Sequence, residues 1–172
     1  MEILVPGLIL VALMAWLSTR IKRNAAAAFD AERVETEEIV IDKPEGFLHV
    51  LNDDSGLLFR AYTKDFATVG QRDVRQATIE VERHRGKSLD EVTAEVKENS
   101  ESFTAEPAYM EGGEKALNAR STRIRDGGEF GMFHKLVTRG ADVIEARGEV
   151  LTGHAETHLQ SMETAIETLR VR

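Results

Sequence analysis

The sequence predicts an α+β fold: an N-terminal single transmembrane helix, then an antiparallel sheet packed with amphipathic helices. Three observations predict it. Segments with two-residue apolar alternation follow one another through short turns, as in hairpin-connected antiparallel strands. Two segments with helical apolar spacing interrupt and close that series. The resulting order, β…β-α-β-β-β-α, lacks the alternating β-α pattern of a parallel doubly wound sheet.

The first element is "EILVPGLILVALMAWLSTRIKR", residues 2–23. The run from Ile3 to Leu17 carries no charge. Its basic neighbours Arg20, Lys22 and Arg23 all follow it, whereas a secretory signal carries its positive charge first. Flanking Lys and Arg stay on the cytoplasmic side, so the expected topology is N-terminus out with the following domain in the cytoplasm, single-pass in the cell (inner) membrane. Trp16 sits where an amphipathic ring meets the headgroup level. Ile3 to Thr19 spans about 26 Å as a helix against a hydrocarbon core of about 30 Å. Snorkelling by Arg20 and Lys22 covers the difference. The alternative is a cleaved signal, with Ala25–Ala28 resembling a processing site, and the charge order argues against it. Residues 1–23 are thus read as an anchor, the helix-favouring, mostly polar residues 24–37 as a neck, and residues 38–172 as a soluble α+β domain.

Within that domain "EIVID" (38–42) reads as a strand closed by the turn "KPEG" (43–46). Residues 47–69 do not decide between strand and helix. "QATIEVER" (76–83) alternates clearly, with Ala77, Ile79 and Val81 on one face. "SLDEVTAEVKENSESF" (88–103) reads as an amphipathic helix: Ser88 and Glu91 form a capping box, and Leu89, Val92, Val96 and Phe103 share a face. "AEPAYMEGGEK" (105–115) reads as loop. Residues 115–125, 129–139 and 142–151 form a meander with turns at "DGG" and "GAD". In its last strand Ile144, Ala146, Gly148 and Val150 line one face. The closing segment "HAETHLQSMETAIETLRV" is a helix whose stripe of Leu159, Met162, Ile166 and Leu169 should lie against the sheet.

This layout resembles the PsbP-like α/β fold, named for an extrinsic subunit of the photosynthetic oxygen-evolving complex. The features that carry the resemblance are the turn Pro44-Glu45-Gly46-Phe47 after an early strand, a strand leading into "GKSLDEVTAEV", the meander, and the closing helix ending "ETAIETLRV". It covers about residues 38–170. The resemblance implies a non-enzymatic docking or assembly role on larger protein complexes. Known members are often exported, which departs from the cytoplasmic placement that the charge order implies here.

Composition narrows the partners. The chain of 172 residues carries a net charge of −8. Residues 1–23 hold one acid against three bases, so the remainder is more acidic still, at −10. Such a domain is a poor partner for nucleic acid, whose phosphates require clustered Lys and Arg. Without cysteine there is no disulfide, thiol nucleophile or Cys-ligated metal.

Candidate chemistry is sparse. His154 and His158 have a metal-compatible i, i+4 spacing, yet no third ligand is identifiable and the segment is not an H-E-x-x-H site. Asp53 and Asp54 in "LNDDSG" read as turn chemistry. The pairs Gly112–Gly113 and Gly127–Gly128 lead into strands, not helices, and fail the context of a phosphate cradle. "ERHRGK" (82–87) is a small basic knot. His134 shares a strand face with Phe130, Met132 and Leu136. No catalytic, metal or cofactor set is legible, so the expectation is a non-enzymatic accessory protein that docks on a membrane protein complex and contacts the lipid bilayer through residues 1–23. The alternative is a tethered small-molecule or lipid-binding domain whose pocket is lined by Tyr62, Phe66, Phe130, Phe133 and His134. A hydrolase or metal enzyme is the third reading, which needs His134 beside an acid.

Overall fold

The computed structural model describes residues 13–21, 26–51, 53–109 and 114–172. Among the described residues, twelve strands, two α-helices and a 3-10 turn at Thr152–His154 follow the helical residues 13–21. They are β1 (Glu32–Glu35), β2 (Ile39–Lys43), β3 (Phe47–His49), β4 (Phe59–Thr63), β5 (Phe66–Val69), β6 (Arg72–Arg75) and β7 (Ala77–His84). After them come α1 (Leu89–Glu98), β8 (Ser102–Tyr109), β9 (Lys115–Arg125), β10 (Gly128–Arg139), β11 (Asp142–Leu151), α2 (Ala155–Glu167) and β12 (Arg170–Val171).

The strands build a seven-stranded sheet in the order β3-β4-β7-β11-β10-β9-β8, a three-stranded sheet β1-β2-β12, and a β5-β6 ribbon. The pairings are antiparallel, and β9-β10 and β10-β11 are joined by tight turns as in hairpins. The α+β class read from the sequence is the one observed. Among the described residues no helix is long and apolar enough to cross a membrane. Most of the expected anchor, residues 1–12, and its basic flank at Lys22 and Arg23 lie outside the described residues.

The large sheet is two-sided. On one face Ala77, Ile79 and Val81 of β7, Ile144, Ala146 and Val150 of β11, and Phe133 and Val137 of β10 meet Met162, Ala165 and Ile166 of α2. Ile39 and Ile41 of β2 close the same core. The alternation read from the sequence places those residues there, and so does the stripe on the last helix: Met162, Ile166 and Leu169 are fully buried. Each such side chain contributes roughly 1.5–3 kcal/mol. On the other face a smaller cluster joins Val92 of α1 to Leu136 and Val143, with Leu89 and Leu117 at its margin. The capping box that starts α1 is present: Glu91 N–H donates to Ser88 Oγ at 3.3 Å and Ser88 N–H donates to Glu91 Oε2 at 2.8 Å.

Two buried lysines tie chain ends to this frame. Lys135 Nζ donates to the carbonyls of Glu167 (2.7 Å) and Leu169 (3.2 Å), satisfying acceptors that the end of α2 leaves open. Lys43 Nζ donates to the carbonyls of Ala28 (3.2 Å), Phe47 (2.9 Å) and Asp30. Burial pushes both ammonium groups below the ordinary lysine range.

Three expectations are corrected. The helical neck assigned to residues 24–37 gives way to strand β1, because Val34 is buried and β1 has β2 to pair with. That gain outweighs a weak local preference for helix. Helix α1 ends at Glu98, and Phe103, expected on its apolar face, lies on β8. Residues 105–109, expected as loop, continue the same strand, paired along its length with β9. Among the described residues β8 is the edge strand of the sheet, a place that tolerates Pro107. The last helix likewise stops short of Leu169, and Arg170–Val171 turns into a strand against β2. The segment 47–69, undecided from sequence, is strand at β3, β4 and β5.

The helix α2 reaches the sheet where a side chain is missing. A Cβ on Gly148 would stand 2.4 Å from Met162 Sδ and 2.8 Å from Ile166 Cδ1. Gly148→Ala is therefore expected to lift α2 and destabilise the domain by about 1–3 kcal/mol, as overpacked cores do. Urea unfolding followed by circular dichroism measures this, and an unchanged midpoint would refute the contact.

Candidate functional site

The face of the sheet under α1 is unusual for its polar content. Strand alternation sends Glu80, Glu82 and His84 of β7, Glu145 and Arg147 of β11, His134 of β10 and Ser121 of β9 to this side, and the antiparallel register aligns them across four adjacent strands. At its centre is Glu145, 3 % exposed. Its Oε1 bonds His134 Nδ1 at 2.8 Å and its Oε2 bonds His84 Nε2 at 2.7 Å. His134 Nε2 in turn lies 3.1 Å from Ser121 Oγ. Beside this chain, Arg147 donates to Glu80 at 2.6 Å and stands 3.7 Å from Glu82.

A cleft of about 270 Å³ opens over these groups, roofed by Val92, Glu95, Val96, Asn99 and Ser100 of α1. Its floor includes His84, Met132, His134, Glu145 and Arg147, with the exposed Arg123 at the rim. Burial would raise the Glu145 carboxyl, but hydrogen bonds from His134 and His84 and the nearby Arg147 outweigh it and hold the group at about 2. The hydrogen bond to Glu145 raises His84 above its ordinary value against the opposing effect of burial. The centre of the cleft is therefore a carboxylate clasped by imidazoles. Glu82, His84 and Glu145 can each present one ligand atom within 4.8 Å of the others, the one group of metal-binding geometry among the described residues.

Of the residues singled out from sequence, His134 sits in this site, and so do Glu82 and His84 from the basic knot 82–87. The proposed aromatic pocket is not assembled: Phe130 and Phe133 point to opposite faces of β10, since they are an odd number of residues apart on one strand. Phe133 joins the core against α2, while Phe130 lies beneath Arg125 on the other side. Tyr62 and Phe66 instead flank the Arg75 guanidinium, 4.2 and 3.7 Å from their ring centres. His158 stacks edge-on against Phe47 and bonds Gln76 at 3.1 Å. Asp53 accepts from the Ser55 N–H at 2.9 Å, which is turn chemistry. In the basic knot, Arg83 is bound to Asp142 at 2.5 Å and Glu38 at 2.8 Å, and Lys87 to Glu95 at 2.7 Å. In the Gly127–Gly128 turn, Gly128 packs against Val69 and leads into strand β10. The pair at 112–113 lies outside the described residues. Glu82 and His84 enter the sequence reading only within the basic knot 82–87, and Glu145 and Ser121 do not enter it as site residues. The available signal was His134 itself, a polar residue on an apolar strand face that required a buried partner.

No family model and no curated protein matches this sequence. Solved structures do match. Cyanobacterial PsbP (CyanoP) from Synechocystis sp. PCC 6803 is 12% identical with a TM-score of 0.57, over 84% of this chain and 94% of that one. LpqN of Mycobacterium tuberculosis, described as involved in cell envelope biogenesis, is 14% identical with a TM-score of 0.57, over 83% and 90%. PA94 from Pseudomonas aeruginosa, described as a protein of unknown function and putative regulator, is 14% identical with a TM-score of 0.53, over 83% and 97%. The chain has the PsbP-like α/β fold, as its strand and helix order led one to expect. At these identities the likeness is one of fold.

The two shifted groups set a pH window. Glu145 is held below its ordinary 4.5, so its contribution is complete above that value and is lost as pH falls toward about 2. His84 is raised above 6.5, so its contribution is complete below 6.5 and is lost as pH rises through its folded value. Stability against urea is expected to peak between the ordinary values of 4.5 and 6.5. The acid limb should span on the order of 3 kcal/mol. Glu145→Gln should flatten that limb, and urea midpoints measured across pH decide it.

Proposed function

We propose that this protein is a membrane-tethered, non-catalytic accessory protein whose α+β domain docks on a membrane protein complex. The observation that carries the reading is the helical segment 13–21. Its large apolar side chains Leu13, Met14, Trp16, Leu17 and Ile21 all remain 42–66 % exposed, covered by nothing in the folded domain. Water is a poor solvent for such a segment and lipid a good one. Arg20 lies 5.3 Å over the Trp16 ring, a pairing suited to the headgroup level. Together with the trailing charges of Lys22 and Arg23, this favours an inner-membrane anchor with the domain on the cytoplasmic side. Tethering raises the local concentration of the domain, so that a weak interface suffices.

The site supports a non-catalytic reading over hydrolysis. Ser121, His134 and Glu145 reproduce the hydrogen-bond order of a serine–histidine–acid relay. The serine, however, is only 4 % exposed in mid-strand, beneath the cleft rather than on its lining, where an acyl group has no approach. The second reading, a small-molecule site, draws on the cleft beneath α1, whose size is near the lower end for ligand pockets.

The full chain is expected to resist alkaline carbonate extraction from membranes, whereas a version lacking residues 1–23 is released. A C-terminal tag should be digested in inside-out vesicles and protected in right-side-out ones. Digestion in right-side-out vesicles would overturn the placement, and a chain that crosslinks to no membrane protein in its own membrane would overturn the docking role.

A further inference from the structure

We propose that Glu82, His84 and Glu145 bind a divalent transition-metal ion beside the cleft beneath α1, whose floor His84 and Glu145 share. The site stands apart from the tethering role and does not depend on it. β7 supplies Glu82 and His84 from alternate positions, so both project to the same face, and β11 supplies Glu145 directly opposite Glu82. One imidazole nitrogen and two carboxylate oxygens within 4.8 Å of one another form a mixed nitrogen and oxygen donor set. Such a set suits zinc and its neighbours in the first transition row rather than calcium or magnesium, which favour all-oxygen shells. Three protein ligands leave a further coordination position, and the adjoining cleft, bordered by Asn99 and Ser100, has room for a molecule to fill it.

The surroundings are arranged as a metal's outer shell is. A ligating carboxylate must be aimed, and Glu145 is: His134 Nδ1–H donates to Oε1, leaving Oε2 turned toward His84. A carboxylate only accepts, so His134 carries a proton on Nδ1, and its Nε2 lies 3.1 Å from Ser121 Oγ, which helps fix the ring. Glu82 is the least committed member. Its nearest cation, Arg147, is 3.7 Å away and gives its short bond to Glu80 instead. An oxygen of Glu82 is thus free to turn onto an ion. An ion at this point would take over the contact between His84 Nε2 and Glu145 Oε2, joining both through itself.

The experiment uses the untagged full chain in detergent, stripped with chelator and titrated with Co²⁺. The expected result is one ion per chain with intense visible absorption of low coordination number, erased by stoichiometric Zn²⁺. His84→Asn and Glu82→Gln should each weaken binding at least tenfold. His134→Gln, which touches no ion, should weaken it by roughly 10- to 100-fold, as outer-shell changes do. Glu82 is partly exposed, so the Glu82→Gln chain should melt as the parent does and keep the comparison clean. The double substitution His154→Ala with His158→Ala should leave binding intact. Absence of the visible bands would overturn the site. So would binding that survives His84→Asn and Glu82→Gln, or that disappears with His154 and His158.

Discussion

The close approach of α2 to the sheet at Gly148 governs this molecule. A strand residue without a side chain lets Met162 and Ile166 descend onto β11, and the apolar half of every central strand is then covered at once. Lys135 completes the closure, bonding the carbonyls that α2 leaves open at its end. With one face of the sheet sealed, Ile39, Ile41 and Leu169 can join the same core, and the short β1-β2-β12 sheet acquires a surface to rest on.

That closure leaves the second face for polar chemistry. Among the described residues, the apolar cluster under α1 is Val92, Leu136 and Val143 with Leu89 and Leu117 at its margin, too small to cover the strands beneath. The rest of the face carries charges that neutralise one another across strands: Arg60 with Glu80, Glu80 with Arg147, Arg125 with Glu149. Glu145 is the one acid among them that is fully buried, and burying a charge is costly unless it is hydrogen-bonded on every side. Two imidazoles provide this. The helix α1 is therefore better understood as a partial roof over a polar row than as a second core layer.

The PsbP-like fold places this chain among proteins that share architecture at 12–14% identity. In this chain the fold rests on alternation in the central strands, a stripe on the last helix, and a glycine where that helix lands. A shared fold does not fix function, and the side chains on the other face are not held to the pattern that the core requires.

By itself the sequence determined the elements whose pattern is local. Alternation at 76–83 and 142–151, the Ser88–Glu91 box and the Leu159–Met162–Ile166–Leu169 stripe each declare a period and a face, because burial on one side selects apolar residues at that period. It also marked His134 as misplaced on its strand. It did not determine β1 or β8, whose residues have little apolar alternation and are strands only because a neighbour offers an open edge. Nor could it choose Glu145 as the partner of His134 from among 30 acids, or bring His84 to it across 61 positions. Those choices belong to register. In an antiparallel sheet the partner opposite a residue is set by turn lengths and strand order, which are properties of the assembled sheet rather than of any one segment.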